Sequence, residues 1–220
     1  MSDIFREVDE DVRRDQFEQL WKRHGNLIVG AVLLVILAAA GWQLYGHFRV
    51  KQEERASAKF QAAIEMSEAG QSSEAEQLLA SIMKKGPAGY ASLARFREAA
   101  ETGKRDAAAG VTLYDALGAD ADIGSALQGL AQLRAAMLLS DSLSATDLTK
   151  RLDPLTGAAS PWRNLARELL GLAELKAGDF EAAGRHFDAV ITDPETAPGL
   201  RRRVEVYLGL IKAGPLPAKS

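Results

Sequence analysis

From Leu27 to Tyr45 the chain reads LIVGAVLLVILAAAGWQLY, with Gln43 the one polar interruption. Amphipathic periodicity appears only outside this run. At 1.5 Å rise per residue its roughly 19 positions span about 30 Å, close to the hydrocarbon thickness of a bilayer. The pattern predicts a membrane-spanning helix, because a helix pairs its own backbone N–H and C=O groups and leaves none stranded in lipid. Trp21 ahead of the run and Trp42 and Tyr45 at its far end stand where interfacial aromatics are expected. A buried core helix would be shorter or carry a polar stripe. A cleaved signal peptide is the stronger rival, since Ala38-Ala39-Ala40 resembles a small-residue cleavage site. Against it, the first 26 residues are long for a leader and hold seven acidic residues against five basic ones. Apolar residues also continue past the alanines, so the run is read as an uncleaved anchor.

The hydrophobic pattern divides the rest of the chain. Residues 1–26 form an N-terminal segment, 27–46 the span, 47–214 a helical repeat domain and 215–220 a tail. In the first segment Ile4, Phe5, Val8 and Val12 share one face of a helical wheel, and Phe17, Leu20 and Trp21 another. The first face is read as part of a tail leading into the anchor, the second as lying on the membrane surface. After the span, Ala56, Phe60, Ala63 and Ile64 recur at helical spacing over Arg49 to Ala69, and Gly70 ends that helix. A second runs from about Ser73 to Lys85, with Ser72 or Ser73 as candidate N-cap, before Gly86-Pro87. Further helices are expected near Gly89 to Thr102, Arg105 to Leu117, Ile123 to Leu139, Ala145 to Leu152, Trp162 to Ala177, Phe180 to Ile191 and Gly199 to Ala213. Gly103 is placed between two of them, and Gly214, Pro215 and Pro217 mark the tail.

These helices repeat. Gly70 and Ala75, Gly103 and Ala108, and Gly178 and Ala183 share a five-residue offset; the first two pairs lie 33 residues apart and the last two 75. Thirty-three is close to one tetratricopeptide period of about 34, and 75 is about two periods with insertions, so a degenerate unit is expected between Asp120 and Pro154. In the clearest unit, Leu170 to Pro194, the residues Leu170-Gly171, Gly178, Phe180, Ala183, Phe187 and Pro194 resemble the tetratricopeptide consensus in order and near-register. Gly171 and Ala183 would let two antiparallel helices approach, with Phe180 and Phe187 filling the space beside them. Glu174 departs from the pattern, standing where an aromatic is usual, and Pro194 falls one residue early. The first unit, with Ala63, Gly70, Ala75, Leu79, Ile82 and Pro87, is weaker but consistent. A generic helical bundle is the competing architecture. The expected fold class is all-α: an N-terminal transmembrane helix followed by a tetratricopeptide-repeat-like α-solenoid.

Composition narrows the function classes. The 174 residues after Gly46 are enough for one core. They carry 22 basic and 23 acidic residues, a formal charge of −1 that suggests no nucleic-acid or polyanion partner. With no cysteine there is no disulfide framework, thiolate metal site or cysteine nucleophile. His24, His47 and His186 are isolated from other plausible ligands and are read as structural or surface residues. Glu65 with Glu68, and Glu174 with Asp179, have helix-face or turn spacing and read as solvated charge. Arg201-Arg202-Arg203 opens the last helix and reads as a solvated face, with contact to an acidic partner as the alternative. HExxH, GxSxG and phosphate-loop motifs are absent. The reading is of a protein that is not an enzyme, with no catalytic, cofactor-binding or metal residues and no cofactors.

Charge does not settle orientation: Arg13, Arg14, Lys22 and Arg23 before the span balance Arg49, Lys51, Arg55 and Lys59 after it. Gly25, Gly30, Gly41 and Gly46 show no four-residue spacing, so no glycine motif supports a transmembrane dimer. Oligomeric state stays open.

Trp21-Lys22-Arg23-His24-Gly25, the span ending Gly41-Trp42 and the degenerate repeats together resemble the YfgM-type ancillary Sec-translocon subunit family. The opening MSDIFREVDEDVRRDQ is similar to that of its alphaproteobacterial members. The resemblance implies a single-pass protein of the bacterial inner membrane, its N-terminus cytoplasmic and its repeats periplasmic. It further implies protein partners, namely the Sec translocon, periplasmic chaperones and client peptides. Stacked helix pairs make an extended surface that holds a peptide or another protein's segment, so binding is the expected activity. The alternative is a structural scaffold or coordinator of envelope assembly without client binding.

Overall fold

The computed structural model describes the backbone of residues 3–213 and the side chains of residues 21–213 other than Ile28. The faces expected at Ile4, Phe5, Val8 and Val12 and at Phe17 and Leu20, together with the tail from Gly214, lie outside the described residues. The chain is all-α: among the described residues every regular element is α-helix or a short 3₁₀ turn. It divides into two compact units, Met1–Arg55 and Ala56–Ser220.

Among the described residues the first unit is helix. α1 runs Asp3–Glu68, and the residues up to Arg55 belong to this unit. The described side chains of its apolar stretch are exposed: Leu27, Leu34, Val35, Leu37 and Trp42 all present most of their surface. Among the described residues one stretch, within Trp21–Glu68, is long and apolar enough to cross a membrane. Trp21 and Tyr45, at either end of the apolar run, are exposed as well.

The second unit is built from consecutive helix pairs. After the end of α1 come α2 (Ser72–Lys85), α3 (Ala88–Arg105), α4 (Ala107–Gly118), α5 (Ser125–Leu139), α6 (Ala145–Leu152), α7 (Arg163–Ala177), α8 (Phe180–Thr192) and α9 (Pro198–Ala213). Each packs chiefly on its neighbours in sequence, and four core clusters follow one another along the chain. The first joins Ala63 of α1 to Leu79 and Ile82 of α2 and Ala94 of α3, with Phe60 edge-on to Tyr90 at 6.3 Å. The second centres on Tyr114 and Leu117, the third on Leu148, Leu152 and Leu170, and the fourth on Phe187, Val190 and Val204. A core assembled from nearest-neighbour contacts is the signature of a repeat array.

The helix boundaries show what sets the repeat. α1 and α7 end alike: Gly70 and Gly178 take φ of +79° and +84°, a region glycine enters without a Cβ clash. In both, the next residue's N–H reaches back five positions, Gln71 to Met66 and Asp179 to Glu174, each at 2.9 Å. The helix that follows each turn opens on a residue whose fourth successor is buried: Gln71 with Ala75, Asp106 with Gly110, Ser144 with Leu148, Asp179 with Ala183. These N-cap positions are 35, 38 and 35 residues apart. The expected degenerate unit between Asp120 and Pro154 is therefore α5 with α6.

Three local expectations are corrected. Gly103 is not a turn but a buried residue inside α3, and Ala108 is exposed. The link there is Asp106 alone, whose N–H bonds Thr102 and whose carboxylate accepts from Ala109, so no left-handed residue is needed. α2 is capped at Gln71, without a side-chain bond, and neither Ser72 nor Ser73 takes that role. Of the two phenylalanines expected to fill the last repeat, Phe187 is fully buried, packed where any Cβ on Gly171 would fall, whereas Phe180 is 39% exposed.

Candidate interaction groove

α5 carries more apolar residues than its core face can use. Ala131, Leu133, Ala135 and Ala136 are buried, while Leu130 and Met137 fall on a neighbouring stripe at helical spacing and stay partly exposed. α7 behaves in the same way: Ala166, Leu170 and Gly171 are buried, and Leu165, Leu169 and Leu172 form a second, half-buried stripe. The two stripes face one another across a groove of about 340 Å³, lined also by Trp162, Arg134, Glu168 and Arg203. Trp162 is held there by its indole N–H, which donates to the Ala126 carbonyl at 2.7 Å. Its ring lies against Gly129, where a Cβ would come within 2.8 Å of it.

One wall is fixed electrostatically. Glu168 of α7 is 8% exposed, and Arg203 of α9 donates to it twice, Nε to Oε1 and Nη2 to Oε2, both at 2.8 Å. Such a two-point pair offsets the cost of burying a carboxylate and holds the guanidinium above its ordinary range. At the start of α7, Arg163 donates from Nε and Nη2 to Asp193 at 2.6 and 3.0 Å and from Nη2 to Glu195 at 2.8 Å. Arg167 adds a donation to the Thr156 carbonyl at 3.0 Å. The Arg163 guanidinium, and then the Glu195 backbone N–H, hold the Asp193 carboxyl well below the usual carboxylate range. This network ties the α8–α9 connection to the start of α7, so the N-terminal half of the groove's second helix is held in place.

The residues singled out from sequence do not converge here. His24 and His47 are exposed on α1, and His186 is half-buried on α8, where burial pulls its imidazole below the usual range. Glu65 and Glu68 are exposed. Asp179 is the N-cap of α8, accepting from the Ala182 N–H at 2.8 Å, rather than merely solvated charge. Among the described residues no group of three or more His, Asp or Glu side chains is placed to hold a metal ion. The arginine run is corrected: Arg203 holds Glu168, and Arg201 donates to the Ile191 and Asp193 carbonyls at 2.6 and 3.1 Å, satisfying the end of α8. Arg202 is exposed, as a solvated face requires. The groove residues were not singled out from sequence; the second apolar stripe on α5 and α7 is the signal that marks them, although a stripe alone does not say whether core or surface covers it.

Comparison with known proteins agrees with the repeat architecture. A family model described as a tetratricopeptide repeat-like domain matches residues 18–211. No curated protein and no solved structure matches the chain.

Proposed function

Because this chain belongs to the tetratricopeptide repeat-like domain family, we propose that it is a membrane-anchored protein–protein interaction module. In this reading it is an ancillary subunit of the Sec translocon, linking secreted chains to periplasmic chaperones. The observation that carries the binding role is the groove between α5 and α7. Its floor is leucine and methionine, its walls are fixed by Trp162 and the Glu168–Arg203 pair, and its volume suits side chains of a bound segment. The resemblance at Trp21 to Gly25 and Gly41-Trp42 supports the more specific assignment. So does the physical use of an anchor: tethering confines the groove near chains leaving a channel and raises their effective concentration without tight affinity. The proposed topology is a single pass through the bacterial inner membrane with the repeats periplasmic. No catalytic role is proposed.

A photo-crosslinker replacing Met137, half-exposed in the groove, tests this in cells. Adducts containing a Sec component or a periplasmic chaperone are expected, with the domain digested by protease once the outer membrane is permeabilised. Protection of the domain until the inner membrane breaks would overturn the topology, and adducts lacking both partner classes would overturn the translocon assignment. A scaffold or envelope-assembly coordinator without client binding is the second reading. It is favoured by Val206 and Leu210, one turn apart on α9 and 62% and 56% exposed. A stable homo-oligomer giving no groove adducts would favour it over the first.

A further inference from the structure

The two arginines at the rim of the groove are not equivalent. Arg203 is committed: its guanidinium meets both oxygens of Glu168, which is nine-tenths buried. A ligand carboxylate that drew Arg203 away would leave the Glu168 charge buried without its cation, a heavily unfavourable exchange. Arg134 is uncommitted. It sits on α5 one turn from both Leu130 and Met137, is exposed, and makes no ion pair or hydrogen bond among the described residues. The charged groups bordering the groove are thus one neutralised pair and one unneutralised cation, beside a floor of aliphatic side chains and Trp162.

That balance selects by charge as well as by shape. Leucine and methionine side chains repack around varied apolar residues and so discriminate weakly among them. A planar guanidinium with an apolar stem can lie along the rim and pair with a carboxylate beside an apolar anchor. A basic residue at the same place meets a like charge and has no free acid to offset it. We infer that the groove binds apolar peptide segments carrying an acidic residue and disfavours those carrying a basic one, with Arg134 as the specificity-determining residue. The inference rests on the reading of the groove as a peptide site.

The test uses the full chain in phosphatidylcholine nanodiscs, with Trp21→Phe and Trp42→Phe leaving Trp162 as the fluorescent reporter in the groove. Water-soluble peptides sharing one Leu-Phe-Ala core and flanked by glutamate, glutamine or lysine are titrated against it. The glutamate peptide is expected to bind tightest, roughly three- to tenfold better than the lysine peptide at low salt, the size of one exposed charge interaction changing sign. The gap is expected to narrow as salt is raised. Arg134→Gln should bring the charged peptides together and leave the glutamine peptide unchanged. A lysine peptide binding as well as the glutamate one, or a preference that survives Arg134→Gln, would overturn the charge selection while leaving the groove as a peptide site. Failure of all the peptides to perturb Trp162 would overturn both.

Discussion

At the scale of the residue, two glycines bring the backbones of α3 and α4 together. A Cβ on Gly110 of α4 would lie 2.5 Å from the Gly103 Cα of α3 and 3.1 Å from Leu138 Cδ1. One on Gly103 would meet Leu138 Cδ1 at 2.9 Å. The first clash is with backbone and cannot be relieved by turning a side chain, whereas the second is with the tip of a leucine that can rotate. Alanine gains up to about 1 kcal/mol of helix propensity over glycine at either site. At Gly110 the forced separation of two helices outweighs that gain, and Gly110→Ala is expected to destabilise the domain by about 1–3 kcal/mol. Gly103→Ala is expected to be near neutral. Thermal unfolding followed by circular dichroism distinguishes them, and equal effects of the two substitutions would contradict the backbone contact. Gly103 also shows where the sequence misleads. Its spacing to Ala108 imitates the Gly70–Ala75 and Gly178–Ala183 offsets, yet a glycine required by close packing and a glycine required by a left-handed turn look identical in a sequence.

At the scale of the element, helix existence and order were legible from apolar periodicity and from glycine and proline punctuation. The helix expected from Arg49 is the continuation of α1, and every helix expected after Gly70 is present with ends that move by at most a few residues, as frayed termini do. The caps were harder to read. Ser72 and Ser73 looked like natural N-caps, but the turn at Gly70 puts Gln71 at that position, with φ −84° and ψ 61° and no side-chain bond. Asp106, Ser144 and Asp179 at the corresponding positions each accept from an amide three residues on. The same position is thus filled by a working cap in three repeats and an idle one in the first. Gln71→Asp is therefore expected to stabilise the domain by about 0.5–1 kcal/mol, and Asp179→Ala to cost about 1 kcal/mol. Denaturant unfolding of the two variants against the parent measures both signs, and a destabilising Gln71→Asp would show that the turn there cannot accommodate a cap. The groove was less legible than the helices for a similar reason. Glu168 and Arg203 are 35 residues apart, and nothing in the spacing of either announces that they meet.

At the scale of the whole molecule, the repeat domain is held by clusters that share few residues, each bridging neighbouring helices. Leu165 is one of the links, packed against both the third cluster and the fourth. Stability in such an array is close to a sum of local terms, so damage should spread to neighbours and then fade. Val204 on α9 tests this, since it is fully buried among Phe187, Val190 and Leu200, and the Phe187 ring lies tilted against Tyr207 at 5.3 Å. Val204→Ala is expected to cost about 1–3 kcal/mol through the lost methyl groups and the cavity they leave. Hydrogen exchange should rise in α8 and α9, less in α7, and remain at parental rates in α2 to α4. A uniform rise across all of these helices would mean that the domain unfolds as one cooperative body, not as a repeat array. The distinction bears on binding because α9 supplies Arg203 to the groove wall. If damage stays local, loosening α9 frees the Glu168 side of the groove while the α5 floor keeps its place. Peptide affinity should then fall in Val204→Ala without loss of the charge preference that Arg134 imposes from the opposite rim.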